Sequence, residues 1–399
     1  MKLHEIFYRY PKSFPLPLVL DGSTGTSLMR EGMPAGVCTE KWVSEHPETL
    51  KKIQSCYLSS GSDALYTPTF GANRPTLERS GLEFSAEFTK NLASLTVGAG
   101  ALAGGDMSPT GLFIEPFGDT PFDKVVEIYR EQAKALDAAG VDFFITETNI
   151  SLQEARAAVI GIREASDKPI FATVTVDENG YTLNGDELSC CFAALADLGI
   201  SAFGTNCSQG PEGMLALLKG LVPMSISLGI PLIAKPNAGM PHEDEDGNRR
   251  FDLDADGFAK FVPEFLKAGI PILGGCCGTD GCFIKKIRES VDSLADELDY
   301  STVSKTDTVH LAASNRTAVT VDPSSLGKPI EVGDDFYDRT ADAQMNGAEC
   351  VYVRLSDEAA ADIFTENAPM LMMPFAVCGN ANAIDKAKRY FNGRLYIVK

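Results

Sequence analysis

Eight short apolar runs, rich in β-branched and aromatic residues, recur between residues 17 and 277 and set the strongest limit on the fold. They are PLVLDG (17–22), DALYTPTF (63–70), GLFIEP (111–116), DFFITETN (142–149), PIFATVTV (169–176), SAFGTNC (201–207), PLIAKPN (231–237) and PILGGCC (271–277). Each is near-continuous in apolar residues rather than alternating, the pattern of parallel strands buried on both faces. Amphipathic stretches separate them. FDKVVEIYREQAKALDAAG, for example, has apolar positions at helical spacing and a glycine at its C-terminal end. Eight strands alternating with helices predict an α/β fold of the (β/α)₈ (TIM) barrel type, with a doubly wound open sheet as the alternative. Such a barrel takes about 250 residues. The chain has 399, so a smaller unit is expected beside it.

The pattern changes near residue 293. SLADELDYSTVSKTDTVHL is polar and rich in Ser and Thr, and reads as a helix end running into a linker. Beyond it come TAVTVD, a helical DDFYDRTADAQMNGA, a strand ECVYVRL, a helix DEAAADIFTENA, a strand MLMMPFAVCG, a helix ANAIDKAKRYF and a final RLYIVK. The expected organisation is a barrel over 1–295, a linker over 296–315 and a small C-terminal α/β unit over 316–399.

Hydrophobic residues make up 44% and charged residues 23%, enough apolar material for a sizeable core. The formal charge of −20 is spread along the chain, which argues against a nucleic-acid partner, since phosphate contacts need clustered Lys and Arg. MKLHEIFYRYPKSFPLPLVLDG is broken by charges and prolines, unlike a signal peptide. No run of 18 apolar residues suggests a membrane span. Ten cysteines in such a chain read as reduced thiols of a cytoplasmic protein rather than a disulfide framework.

Polar residues gather at the C-terminal ends of the runs: Asp21, Thr67, Thr69, Glu115, Glu147, Cys207, Asn237, Cys276 and Cys277. In a barrel of this kind the active site forms on that face. Cys276 and Cys277 are vicinal inside GGCCGT, and Gly274, Gly275 and Gly278 would free the backbone to aim both sulfurs at one place. Cys207 ends another run, in GTNCSQGP. Three converging thiols with one open position is how a catalytic zinc is held, and thiolate softness favours zinc. The competing reading is three buried core cysteines. A site of three thiolates leaves a bound substrate sulfur electron-rich and makes the metal a poor Lewis acid for water, which suits alkyl transfer to a thiol. Asp21 and Glu147 could receive the ammonium of an amino-acid substrate, or could cap helices. DGSTGT lacks the pattern of a phosphate-binding loop. Cys190 and Cys191 sit inside a helix and read as structural, as do His46 and Trp42. The four histidines, His4, His46, His242 and His310, show no ligand spacing. HEDEDGNRR (242–250) reads as a loop or short hairpin near the site.

LDGSTGTSL, EHPETLKKIQSCYLSSGSDALYTPTFGAN, FFITETNISLQEA, GTNCSQGPEGM, KPNAGMP and GGCCGT, in that order over about 280 residues, resemble the homocysteine S-methyltransferase family. The likeness is greatest to the homocysteine-binding module of cobalamin-dependent methionine synthase. The betaine-dependent branch has an aromatic residue where Gly71 stands here. The resemblance implies Cys207, Cys276 and Cys277 as ligands of one zinc ion, and Asp21 and Glu147 as contacts to the homocysteine amino group. In the methionine synthase branch the asparagine of PNAG approaches the metal when substrate is absent, and here that residue is Asn237; Thr69, at the end of its run, is a further candidate substrate contact. A GDIGPTG-like motif expected at the third strand is replaced by LFIEPFGD. The C-terminal unit faintly resembles part of a pterin-binding barrel but has no GERIN-like motif, and no D-x-H-x-x-G cobalamin motif is present. The resemblance therefore implies methyl transfer to homocysteine, with methylcobalamin supplied in trans by corrinoid- and pterin-binding partners and 5-methyltetrahydrofolate upstream. A sulfonium donor such as S-methylmethionine, or a non-catalytic zinc- and homocysteine-binding subunit, are the alternatives.

Overall fold

In the computed structural model, residues 16–207, 209–243, 249–294, 297 and 309–398 are described. The chain begins with β1 (Leu18–Val19), α1 (Thr24–Arg30), α2 (Thr39–Glu45), α3 (Pro47–Ser59), β2 (Ala64–Tyr66), α4 (Arg74–Arg79), α5 (Ala86–Ser94) and β3 (Leu102–Met107). It continues with α6 (Phe122–Ala139), β4 (Phe143–Asn149), α7 (Leu152–Ala165), β5 (Ile170–Val174), α8 (Leu188–Asp197), β6 (Ala202–Asn206), α9 (Pro211–Leu228) and β7 (Leu232–Lys235). A hairpin of β8 (Pro241–Glu243) and β9 (Arg249–Phe251) precedes α10 (Ala255–Ala259), α11 (Val262–Lys267), β10 (Ile272–Leu273) and α12 (Gly281–Ser293).

Eight of these strands form one sheet in the order β1-β10-β7-β6-β5-β4-β3-β2, with each neighbouring pair parallel. Apart from the hairpin, each strand neighbours the next in sequence, so the winding never reverses as it would in a doubly wound sheet. The two end strands meet at Asp63. Its N–H donates to the Val19 carbonyl (2.7 Å) and its carboxylate accepts from the Val19 N–H (2.8 Å). That contact brings the sheet round into a (β/α)₈ barrel. Leu18, Leu20, Phe143, Ile145, Phe171, Ile233 and Ile272 fill the interior, while Leu136, Val159, Phe192 and Leu218 belong to a second cluster that includes the surrounding helices.

The third strand is a correction. It runs through LAGGDM at 102–107, and GLFIEP lies in the loop that follows, where Ile114 makes an isolated bridge to Thr120. Glycines disguised the strand. A Cβ on Gly104 would lie 2.6 Å from the Phe143 ring, and one on Gly105 3.1 Å from Leu136, so close packing excludes the side chains that would have marked a strand. With the strand so placed, GDMSPTG (105–111) stands at its end, and the GDIGPTG-like motif is present just ahead of LFIEPFGD.

Beyond the barrel, β11 (Leu311–Ala313) pairs antiparallel with β12 (Ala318–Thr320). Then come β13 (Ile330–Glu331), α13 (Phe336–Met345), β14 (Val351–Leu355), α14 (Glu358–Leu371), β15 (Phe375–Gly379), α15 (Ala381–Tyr390) and β16 (Tyr396–Ile397). Of the stretch read as linker, residues 311–313 are strand, and most of 296–308 lies outside the described residues. The four parallel strands β13 to β16 lie in sequence order over a core containing Phe336, Phe364, Phe375 and Phe391. MLMM, read as strand, instead spans the end of α14 and the left-handed Met372 that ends it (φ 49°). The unit is tied to the barrel through Arg156 on α7. Its buried guanidinium donates to the carbonyls of Lys388 (2.7 Å), Arg389 (3.1 Å) and Gly393 (3.1 Å).

Candidate metal and substrate site

Cys207, Cys276 and Cys277 converge at the C-terminal mouth of the barrel, their sulfurs all within 4.8 Å of one another. Cys207 Sγ and Cys277 Sγ are 3.4 Å apart. Thiolates at about 2.3 Å from a tetrahedral zinc would be about 3.8 Å apart, so little movement would seat an ion. Contact with Cys276 and Cys277, and then burial, raise the Cys207 thiol above its ordinary pKa. A divalent cation reverses that balance, because it stabilises the thiolates it binds.

The backbone that aims these sulfurs differs from the expected one. Of the three glycines around the pair, Gly278 has a positive φ (85°). Gly274 and Gly275 serve close approach instead: their Cβ atoms would lie 2.9 Å from Leu20 and 2.3 Å from Thr279 Oγ1. The strained residue is Cys207 itself, left-handed at φ 58°. Its N–H donates to the Lys235 carbonyl (3.3 Å), and its carbonyl accepts from Asn237 Nδ2 (3.0 Å). Cys276 N–H donates to the Pro236 carbonyl (2.8 Å), and Ala238 N–H to the Cys277 carbonyl (2.9 Å). The segment after β7 therefore clasps both thiol-bearing loops.

The sulfurs open on a cavity of about 310 Å³ lined also by Gly22–Thr26, Tyr66, Asp106, Glu147 and Lys235. Lys235 is buried, its ammonium 3.3 Å from Asp21 Oδ1, 3.7 Å from Glu147 Oε2 and 3.6 Å from the centre of the Tyr66 ring. Burial opposes its charge, but Tyr66, Glu147 and Asp21 more than offset this and raise it well above the usual lysine value. Burial pushes Glu147 up to about 7 against the pull of Lys235. Burial and the neighbouring Glu147 push Asp106 well above the carboxylate range.

A model of the family described as homocysteine S-methyltransferase matches residues 18–291, the whole barrel. The chain belongs to the homocysteine S-methyltransferase family. It is 30% identical over 303 residues to methionine synthase of Mycobacterium tuberculosis (strain ATCC 25618 / H37Rv) and 31% identical over 306 residues to that of Mycobacterium leprae (strain TN). Those matches cover 69% and 70% of this chain but only 25% and 24% of the relatives, so the chain spans about a quarter of their length. Its fold matches the homocysteine methyltransferase MmuM from Escherichia coli. The metallated form gives a TM-score of 0.55 at 20% identity and the apo form 0.53 at 22%, each over 68% of this chain and 95% of that one.

Within this homocysteine S-methyltransferase barrel, the other candidate residues are placed as follows. Glu147 lines the cavity. Asp21 lies behind it, 1% exposed, its carboxylate accepting from the Tyr66 N–H (2.8 Å) and from Lys235. Thr69 is buried against Thr67 Oγ1 (2.6 Å) and the Asp106 carbonyl (2.8 Å). Asn237 braces Cys207 from outside the cavity lining. Cys190 and Cys191 are buried in α8, away from the cavity. His46 stacks on Trp42 (4.1 Å), His310 on Tyr396, and exposed His242 pairs with Asp252; His4 lies outside the described residues. The two ends of the charged excursion pair as β8 and β9, with 244–248 outside the described residues, and the Phe251 ring packs against Gly278 beside the thiol pair. Sequence reasoning missed Lys235, Tyr66 and Asp106. A lysine inside an apolar strand, in PLIAKPN, was the available signal for the first.

Among the described residues, no helix is long and apolar enough to cross a membrane.

Proposed function

We propose that the chain holds one zinc ion through Cys207, Cys276 and Cys277 and methylates the thiol of homocysteine to give methionine. The observation that carries this reading is the pairing within one cavity of three convergent thiols with a buried carboxylate, Glu147. When bound, the metal supplies deprotonation of the substrate thiol at neutral pH. The protein does the rest. Glu147, near 7 in pKa, ionises as it accepts the substrate ammonium, a charge-assisted hydrogen bond inside a shielded cavity. Lys235 holds Asp21 and Glu147 against mutual repulsion. The sulfur lone pair forms the new S–CH₃ bond, and the donor keeps the electrons of the bond that breaks.

The donor in this reading is methylcobalamin carried outside these 399 residues, with 5-methyltetrahydrofolate as the upstream source. The matched relatives are methionine synthases in which this barrel corresponds to about a quarter of the chain, and this supports a donor module elsewhere. The test is methionine formation by the zinc-loaded chain from homocysteine with methylcobalamin or with S-methylmethionine. Turnover with the first supports the reading, and turnover with the second alone moves the donor to a sulfonium. No methionine from either, with zinc bound, would leave a binding subunit and defeat the proposal.

A further inference from the structure

Tyr66 Oη, Asp106 Oδ1 and Glu147 Oε2 are buried in the cavity wall and find no hydrogen-bond partner among the described residues. The Lys235 ammonium lies within ion-pair distance of Glu147 Oε2 but beyond hydrogen-bond reach, at 3.7 Å. The three residues come from consecutive strands. Tyr66 pairs in register with Gly104 and Asp106 with Ile145, so alternation along the strands sends Tyr66, Asp106 and Glu147 to the same inner face. Asp106 is 6% exposed and Tyr66 3%. Three buried polar atoms left unpaired at one place are unfavourable unless a ligand satisfies them. An alkylammonium carries three N–H donors, one for each. Asp21 has no comparable vacancy: Tyr66 N–H and Lys235 already engage it, and it does not line the cavity.

We infer that Asp106 and the Tyr66 hydroxyl complete, with Glu147, the ammonium site for the substrate, and that Asp21 acts at one remove by holding Lys235. This rests on the reading of the substrate as homocysteine. It assigns recognition of the amino group to the motif GDMSPTG on β3 and to the tyrosine of DALYTPTF.

The experiment is calorimetric titration of the zinc-loaded chain with homocysteine and with 4-sulfanylbutanoate, the same thiol acid without the amino group. Asp106→Asn should weaken homocysteine binding by roughly 10- to 100-fold, the range for a hydrogen bond to a charged group. Tyr66→Phe should weaken it several-fold, and both should leave 4-sulfanylbutanoate within about twofold of wild type. A role confined to packing would weaken both thiols alike. Unchanged homocysteine affinity in both variants, or equal loss for both thiols, overturns the inference. If Asp106→Asn does not fold, Tyr66→Phe decides by the same criterion. Should the unaltered zinc-loaded chain bind neither thiol, the homocysteine reading itself falls, and the inference with it.

Discussion

Lys235→Met gives the sharpest test of the cluster beneath the thiols. The substitution keeps an unbranched side chain only one atom shorter and removes the only cation placed against Asp21 and Glu147 among the described residues. At an effective dielectric of about 20, a unit charge at the observed 3.3 and 3.7 Å is worth about 5 and about 4.5 kcal/mol of attraction. Much of that offsets the desolvation of the ammonium, so the measurable loss is set by what happens to the carboxylates left behind. Removing one partner from a buried pair typically costs about 3–5 kcal/mol. Protonation limits the damage. Neutralising Asp21, whose ordinary value is 3.8, costs about 1.4 kcal/mol for each pH unit above that value. The ceiling is therefore near 6 kcal/mol at pH 8 and under about 2 at pH 5. The sign follows from linkage. In the variant the folded-state carboxyls sit further above their unfolded values, so the stability they contribute is full below about pH 4 and lost as pH rises. Urea unfolding of variant and wild type, at equal zinc loading, should show a deficit of about 3–5 kcal/mol at pH 8 that shrinks by at least half at pH 5. A deficit under about 1 kcal/mol at pH 8, or one that grows on acidification, would refute the account of Lys235 as the buried counter-ion.

Three further outcomes are expected. Cys207→Ala and Cys277→Ala should each lose stoichiometric zinc by elemental mass spectrometry while Cys190→Ala retains it; full zinc in Cys277→Ala would remove the metal site proposed here. Gly275→Ala places a Cβ 2.3 Å from Thr279 Oγ1 and should cost about 1–3 kcal/mol in urea unfolding, together with weaker zinc retention against a chelator. Unchanged stability would contradict the close-approach role of that glycine. Arg156→Leu strips donors from three carbonyls of the C-terminal unit, so limited proteolysis should cut within residues 309–398 faster while the barrel persists. Equal cleavage rates would show that other contacts hold the unit.

Seven of the eight barrel strands were readable because parallel strands buried on both faces leave a continuous apolar trace. The eighth, LAGGDM, was lost where Phe143 and Leu136 occupy the space that its own side chains would have used. The thiols were readable because sulfur at strand ends is chemically conspicuous. What stayed hidden is relational. Lys235 has meaning through Asp21 and Glu147, residues separated from it by 214 and 88 positions, and no local spacing announces that a lysine is a counter-ion. Asp106 was concealed by the misplaced strand, and Tyr66 by its likeness to an ordinary core aromatic. The backbone burden at the thiol cluster was likewise assigned to the glycines, when Cys207 carries the left-handed turn.

That turn has a consequence for anyone improving the protein. Cys207, just past β6, and Thr148, in the irregular end of β4, are both left-handed without being glycine, and Asn206 joins them, its side chain accepting the Thr148 N–H (2.8 Å). Replacement by glycine would relieve about 1–2 kcal/mol at each, so a search guided by stability alone would rank these positions among its best targets. At 207 it would select a sturdier barrel that has discarded a sulfur. Heat resistance in a library of variants is therefore a misleading proxy for fitness here, and such a screen should be scored on metal retention first.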